Sequence, residues 1–139
     1  MPQKIVVDSS VIVKWLNTTG EQDVQQARKL LKDFEEEKVE LFTPDLAKYE
    51  VGNALLFKKM DVIFVKIALD AFASIPLRFI PADKEDLKEI CEIAKLQKTT
   101  FYDASFIQPA IKLKATLVTA NPKHQKIKGV KVISLADYR

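Results

Sequence analysis

Cysteine and histidine are almost absent from this chain of 139 residues, which contains one of each. The single thiol, Cys91, excludes an intramolecular disulfide and a cysteine-based zinc site. The single imidazole, His124, excludes most zinc chemistry and a conventional histidine relay. No apolar run reaches the roughly 20 residues that span a bilayer, and the N-terminal apolar run is too short for a signal peptide. We therefore expect a cytoplasmic protein with no membrane segment.

Charge of both signs is present in near balance, with 22 basic and 19 acidic residues and a net charge of +3. So mild an excess does not by itself indicate nucleic-acid binding. Lysines gather near the C-terminus, where they form either a solvated surface or a nucleic-acid contact: Lys123, Lys126, Lys128 and Lys131. The composition is 47% hydrophobic and 29% charged, which is typical of a soluble globular protein. The length predicts one domain over residues 1–139.

Short β-branched runs alternate with helical patterns, and this alternation predicts an α/β fold with a parallel sheet flanked by helices. The five predicted strands are Lys4–Val7, Glu40–Thr43, Leu77–Ile80, Thr116–Thr119 and Val130–Ser134. The predicted helices are Ser9–Asn17, Glu21–Lys38, Thr43 to about Lys59, Asp61 to about Ser74, one that begins at Asp83, and Tyr102–Leu113. Thr43 is expected to cap the third helix, and Pro109 to kink the last one.

Two aspartates fall at the ends of predicted elements. Asp8 is the last residue of the first strand, and ligands of open α/β sheets bind outside the carboxyl ends of strands. Asp103 lies in the first turn of the last helix. Each also has a structural interpretation, Asp8 as a helix N-cap and Asp103 as a surface acid that the helix dipole favours.

Glu50 lies among apolar positions of the predicted third helix, on one face with Asn53. An ionised carboxylate there is costly to bury unless it is paired or bound to a cation. Asn53 could orient the carboxylate, and Gly52 suggests that another backbone approaches closely. The alternative is a salt bridge from Glu50 to Lys48 or Lys14. Taken together, the three acids are the oxygen donors that Mg²⁺ prefers.

Four segments resemble the successive motifs of PIN-domain nucleases, most closely those of the VapC-type toxins of prokaryotic toxin–antitoxin pairs. The segments are Ile5–Val11, Tyr49–Leu55, Phe101–Phe106 and Leu117–Asn121. The resemblance implies a three-layer α/β/α fold with a five-stranded parallel sheet and the first strand at its centre. It also implies an endoribonuclease that depends on Mg²⁺ or Mn²⁺, usually a homodimer silenced by a small antitoxin.

Carried over to this sequence, the resemblance implies that Asp8, Glu50 and Asp103 bind the metal and carry the catalysis. Ser9 and Ser10 are the polar groups expected to support Asp8. Asn53 is expected to support Glu50, and Thr119 to place a hydroxyl close to the site.

The resemblance breaks at Asn121, where the family usually has a fourth acid. An amide oxygen can still ligate a metal, but it brings no charge. The binding of a second metal ion should therefore be weaker. Pro109 also stands where the family usually has a helix-forming apolar residue.

Three hypotheses about function follow. In the first, the chain hydrolyses RNA, and Lys14, Lys123, Lys126 and Lys128 contact its phosphates. In the second, motivated by Asn121, it is a catalytically weakened module that binds RNA or protein. The third, an aspartyl-phosphate phosphatase or receiver domain, is disfavoured because Ser10 replaces the phosphatase's second aspartate. The apolar helix Val62–Phe72 is either a buried core helix or one that packs against another subunit or an antitoxin.

Overall fold

A five-stranded parallel sheet positions Asp8 and Thr119 at the ends of its strands. A computed structural model describes residues 1–122 and 129–139. The strands are β1 (Gln3–Val7), β2 (Val39–Pro44), β3 (Arg78–Ile80), β4 (Thr116–Thr119) and β5 (Val132–Ser134). The helices are α1 (Ser9–Leu16), α2 (Val24–Glu35), α3 (Leu46–Phe57), α4 (Val62–Ser74), α5 (Lys84–Gln97) and α6 (Phe101–Leu113). A short 3-10 turn, Leu135–Asp137, follows β5.

The strand order is β3-β2-β1-β4-β5, and every pair is parallel. The chain steps from β1 outward to β3 and then returns to β4 on the other side of β1. Because parallel crossovers are right-handed, this reversal puts helices on both faces of the sheet. The predicted α/β fold and the central position of β1 are confirmed. The reversal also creates a switch point between the carboxyl ends of β1 and β4, where ligands of such sheets bind.

The core follows from the burial of the central strands on both faces. Ile5, Val6 and Val7 of β1 are all buried, as expected of a strand covered by helices on two sides. Phe106 of α6 and Ile12 of α1 are also fully buried. Since α6 contacts β1, β2 and β4, while α1 contacts α2, α3 and β4, the two helix layers are anchored on the strands that end at the switch point.

The start of α3 differs from the prediction. Strand β2 continues through Pro44, because Thr43 and Pro44 pair with Phe79 and Ile80 of β3. The hydroxyl of Thr43 donates to the carbonyl of Val7 at 2.9 Å instead of capping a helix. The expectation that Thr43 is the N-cap is therefore wrong.

The expectation about Gly52 is wrong, whereas the expected kink at Pro109 stays a prediction. An ideal Cβ on Gly52 would meet no atom within 4 Å, so no backbone approaches it closely. Helix α6 runs from Phe101 to Leu113 as one element with Pro109 inside it.

Within the described residues, no helix combines the length and apolarity needed to cross a membrane.

Helix α4 is buried on one side only. Val65, Ala68 and Phe72 face the core, whereas apolar side chains on its outer side are exposed. The exposed residues are Val62, Ile63, Phe64 and Ile67. Helix α4 is thus not a fully buried core helix.

Candidate active site

Asp8 stands at the switch point because of the register of the central strands. Val7 is the partner of Val118 across the β1–β4 pair, and the amide of Asp8 donates to the Val118 carbonyl at 3.1 Å. Asp8 and Thr119 are consequently neighbours at the carboxyl edge of the sheet. The sequence patterns placed both residues at strand ends, and the pairing of β1 with β4 brings them together.

The Asp8 carboxylate is held by hydroxyl groups. Its Oδ2 accepts hydrogen bonds from Thr119 and from Ser10, each at 2.8 Å. Its Oδ1 lies 3.4 Å from the hydroxyl of Ser9. Asp8 occupies the N-cap position of α1, but its side chain makes no capping hydrogen bond. The carboxylate is therefore oriented mainly by the hydroxyl groups of its neighbours.

Ser9 links Asp8 to Glu50. The Ser9 hydroxyl lies 2.8 Å from Oε1 of Glu50, to which it donates a hydrogen bond. Neither proposed lysine partner of Glu50 pairs with it, because Lys14 is bonded to Glu21 and Lys48 to Asp45. The salt-bridge alternative for Glu50 is thus not observed.

Asp103 reaches the site from the first turn of α6. Thr100 caps this helix by accepting a hydrogen bond from the Asp103 amide at 3.0 Å. The hydroxyl of Thr99 donates to Oδ2 of Asp103, also at 3.0 Å. Sequence reasoning missed Thr99, although a pair of threonines just before a helix that carries an acid at its third position is a recognisable capping pattern.

Asp8 and Glu50 share one electrostatic environment, because the negative charge of Asp103 raises the pKa of both. Burial is the main cause that raises the pKa of Asp8, and the negative charge of Asp103 raises it further, against the hydrogen bonds from Thr119 and Ser10. Burial likewise raises the pKa of Glu50 and outweighs the hydrogen bond from Ser9, and the negative charges of Asp8 and Asp103 add to the rise. No Lys or Arg of the described residues forms an ion pair with any of the three acids.

A cavity of about 580 Å³ brings the predicted residues together. Its lining includes all three acids and the predicted neighbours Ser9, Ser10, Asn53 and Asn121. Buried Thr119 contacts the site through Asp8. Its hydroxyl accepts a hydrogen bond from the backbone amide of Asn121 at 3.0 Å. Asn53 is exposed, and its side chain makes no hydrogen bond to Glu50. A larger cavity of about 730 Å³ lies at the amino ends of β2 and β3, away from these acids.

The acids face one cavity without forming a finished metal cage. Over residues 1–122 and 129–139, no three Asp, Glu, His or Cys side chains are arranged so that they could hold one ion between them. The chemistry available is that of three carboxylates that line one open pocket, in which Asp8 and Glu50 have a raised pKa. Such a pocket is suited to a hydrated cation, which keeps several waters and takes few direct ligands.

Of the lysines predicted to contact RNA, only Lys14 lies within the described residues. Lys14 lines the cavity, but its side chain is only 8% exposed and is bonded to Glu21. Lys58 and Glu21 also line this cavity and were missed by sequence reasoning, since nothing in their local pattern connects them to the acids. The predicted contacts Lys123, Lys126 and Lys128 lie outside the described residues.

Comparison with known proteins agrees with the fold. The sequence profile of the PIN domain matches residues 5–130. This chain belongs to the PIN domain family. No curated protein matches it.

Several solved structures share its fold. One is VapBC2 from Rickettsia felis bound to a promoter DNA fragment, with a TM-score of 0.73, 17% identity, and coverage of 95% of this chain and 98% of the other. Another is PAE2754 from Pyrobaculum aerophilum, with a TM-score of 0.69, 26% identity, and coverage of 97% and 92%. A third is VapC20 from Mycobacterium tuberculosis, a toxin described as cleaving the sarcin–ricin loop, with a TM-score of 0.63, 16% identity, and coverage of 84% and 87%.

Proposed function

We propose that this protein is a metal-dependent endoribonuclease, and that it acts as the toxin of a type II toxin–antitoxin pair. The observation that carries the proposal is the meeting of Asp8, Glu50 and Asp103 in one cavity at the switch point of the sheet. Membership of the PIN domain family supports it. So does the structural likeness to toxins such as VapC20.

The residues fit Mg²⁺ or Mn²⁺ by the chemistry of their donors. Carboxylate oxygens are the ligands that hard cations prefer, and Mg²⁺ commonly uses one or two of them and keeps several waters. Burial and mutual repulsion raise the pKa of Asp8 and Glu50, and no basic side chain of the described residues offsets their charge. Asp8, Glu50 and Asp103 would hold the ion, directly or through water. The side-chain amide oxygen of Asn121 could add an uncharged ligand.

The chemistry that a divalent ion supplies when bound is a lowered pKa for water and neutralisation of charge on the phosphate oxygens. The chain supplies orientation. Thr119 and Ser10 fix Oδ2 of Asp8, Ser9 joins Asp8 to Glu50, and Thr99 fixes Asp103. Since side-chain hydroxyls hold all the acids, each carboxylate keeps its direction before substrate arrives.

The proposed partners are RNA, a second copy of the chain and a small antitoxin. The solved structures that resemble this chain include a toxin–antitoxin complex from Klebsiella pneumoniae, at 16% identity. The exposed apolar outer side of α4 supplies a surface that association would cover. Lys123, Lys126 and Lys128 are proposed as contacts to RNA phosphates.

Cleavage of RNA in Mg²⁺ or Mn²⁺ tests the activity. We expect Asp8→Asn and Asp103→Asn to abolish cleavage while the far-ultraviolet circular dichroism spectrum stays unchanged. Asp70→Asn is the matched control, since Asp70 is exposed on α4 and its loss changes the net charge by the same amount. Undiminished cleavage by both site variants would refute the mechanism.

A catalytically weakened binding module is the second candidate. The observation that favours it is Asn121, a neutral residue in the lining of the acidic cavity. This reading predicts that the wild-type protein binds RNA or a protein partner without cleaving RNA in either metal. Metal-dependent cleavage that is lost in Asp8→Asn would rule it out.

A further inference from the structure

A second ionic cluster lies in the wall of the acidic cavity. It consists of Lys14 from α1, Glu21 from the loop after α1, and Lys58 from the end of α3. The ammonium group of Lys14 lies 3.0 Å from Oε1 of Glu21, and that of Lys58 lies 2.8 Å from Oε2. We call these residues the lysine cluster. All of them line the cavity that the acids share.

The lysine cluster is unusual in its burial and its charge. The side chains of Lys14, Glu21 and Lys58 are 8%, 21% and 18% exposed. Burial opposes ionisation of Glu21, but hydrogen bonds from Lys58 and Lys14 outweigh it and hold the pKa of Glu21 below its ordinary value. Glu21 therefore stays charged. Two ammonium groups share one carboxylate, so the cluster keeps an excess positive charge, and burying ions that are not fully compensated is costly.

Each ammonium group also has a hydrogen-bond donor to spare. A lysine carries three N–H donors. Lys14 uses two, one to Glu21 and one to the carbonyl of Gln22 at 2.8 Å. Lys58 likewise bonds Glu21 and the carbonyl of Thr19, at 2.8 Å each. With respect to the part of the chain that the structure describes, one donor on each lysine thus remains for an anionic ligand in the cavity.

The lysine cluster is separate from the acids. Neither lysine is among the charges that shift the pKa of Asp8 or Glu50. Lys14 lies six residues beyond Asp8, which on a helix corresponds to roughly 9 Å along the axis. An anion bound by these lysines is therefore distinct from any group held at the carboxylates.

We propose that Lys14 and Lys58 form a subsite for a backbone phosphate of single-stranded nucleic acid, and that Glu21 is a positioning residue that holds the two lysines at a fixed spacing. A phosphodiester suits the site because it carries one negative charge and two free acceptor oxygens, one for each spare donor. This phosphate is then a neighbour of the cleaved one, a statement that rests on the proposed nuclease function. The binding itself does not rest on it.

A purely structural role makes a different prediction. The cluster also holds the loop at residues 18–23 against α1 and α3. In a purely structural role, this would be its only effect. In that case the loss of Lys58 would lower thermal stability and leave the electrostatics of nucleic-acid binding unchanged. The salt dependence of binding separates the two roles, because each phosphate contact on a single strand contributes about 0.7 to the slope of log K against log salt.

The test uses the full chain in EDTA, which prevents metal-dependent cleavage, and a labelled single-stranded oligoribonucleotide followed by fluorescence anisotropy. We expect Lys58→Gln to reduce the magnitude of the salt slope by about 0.7. Lys59→Gln is the matched control, since Lys59 is the adjacent, exposed lysine and its loss removes the same charge. A DNA strand of the same sequence should show the same reduction, because the subsite contacts phosphate alone.

Glu21→Gln is the second variant. It keeps both ammonium groups, so the salt slope should be maintained even where thermal stability falls. Equal slopes for the wild type, Lys58→Gln and Lys59→Gln would overturn the proposal, as would equal reductions in both lysine variants. A reduced slope in Lys58→Gln in a protein that cleaves no RNA would support the subsite and count against the nuclease. RNA cleavage that depends on Asp8, together with an unchanged salt slope in Lys58→Gln, would support the nuclease and count against the subsite.

Discussion

Replacing Thr119 with valine tests whether the hydroxyl groups around Asp8 are needed to hold a buried charge. Valine keeps the shape of threonine but removes its hydroxyl. In the wild type this hydroxyl donates to Asp8 at 2.8 Å and accepts from the amide of Asn121 at 3.0 Å. Thr119 is fully buried, so water does not readily replace either partner.

The expected loss of stability follows from these two bonds. A hydrogen bond to a charged group contributes about 1.5–3 kcal/mol, and a neutral one about 0.5–1.5 kcal/mol. We therefore expect Thr119→Val to lower the free energy of unfolding by about 2–4.5 kcal/mol at pH 7. Thr116→Val is the matched control on the same strand. Thr116 is also buried, but its hydroxyl only accepts one bond from Gln3 at 3.2 Å, so about 0.5–1.5 kcal/mol is expected.

The pH dependence gives a second readout. Because burial raises the pKa of Asp8 in the folded protein, its favourable contribution is present below the unfolded pKa and is lost as pH rises through the folded one. Thr119 lowers that pKa, so its removal raises the pKa further and the cost of Thr119→Val should grow from acid to neutral pH. Urea denaturation in EDTA measures both effects. A cost no larger than that of Thr116→Val, or one independent of pH, would refute the reasoning.

Three further predictions concern other parts of the chain. Gly52→Ala should raise the free energy of unfolding by about 0.5–1 kcal/mol, since a Cβ there meets nothing within 4 Å; urea denaturation that shows a loss would contradict this. The amide of Asp83 and the ammonium of Lys112 lower the pKa of Asp86 to about 2, so its stabilising contribution should be present above about pH 4 and be lost as pH falls toward 2. Asp86→Asn should weaken the pH dependence of the free energy of unfolding in that window. An unchanged pH dependence would exclude a stabilising interaction of the Asp86 carboxylate. Asn121→Asp should tighten Mn²⁺ binding in calorimetry, and unchanged affinity would place that residue outside the metal shell.

Hydrophobic periodicity predicted the α/β fold and its parallel sheet, whereas the central position of β1 followed from the family resemblance. The buried β-branched runs of β1 and β4 can form strands covered on both faces, and the helical patterns between strands can only be crossovers. The edges were less predictable. Thr43 and Pro44 have the local signature of a helix start, yet tertiary pairing with β3 extends β2 through them. Local propensity is a weak prior that such pairing overrides.

The candidate site was predictable to the extent that its residues stand at element ends. Asp8, Asp103 and Thr119 follow or begin elements whose ends the sequence marks, whereas Glu50 stood out as a charge among apolar neighbours. Glu21 and Lys58 could not be found in this way, because their pairing depends on how a loop folds back onto two helices. Family resemblance also gave no indication of these residues.

The outer side of α4 shows a different limit. Its aliphatic residues on several faces were compatible with a buried helix or with a partner surface. Only the packing of Val65, Ala68 and Phe72 against the core shows which face is covered within the chain. Size-exclusion chromatography with light scattering then tests whether the chain associates in solution.

Calorimetric titration with Mn²⁺ tests the central claim most directly, because the claim is that Asp8, Glu50 and Asp103 together bind a divalent ion. We predict that the wild type binds one ion, and that binding weakens as pH falls, since protons compete for acids of raised pKa. Asp103→Asn should lose this binding, while Asp70→Asn should keep it. No binding by the wild type up to millimolar Mn²⁺, or full binding by Asp103→Asn, would contradict the account.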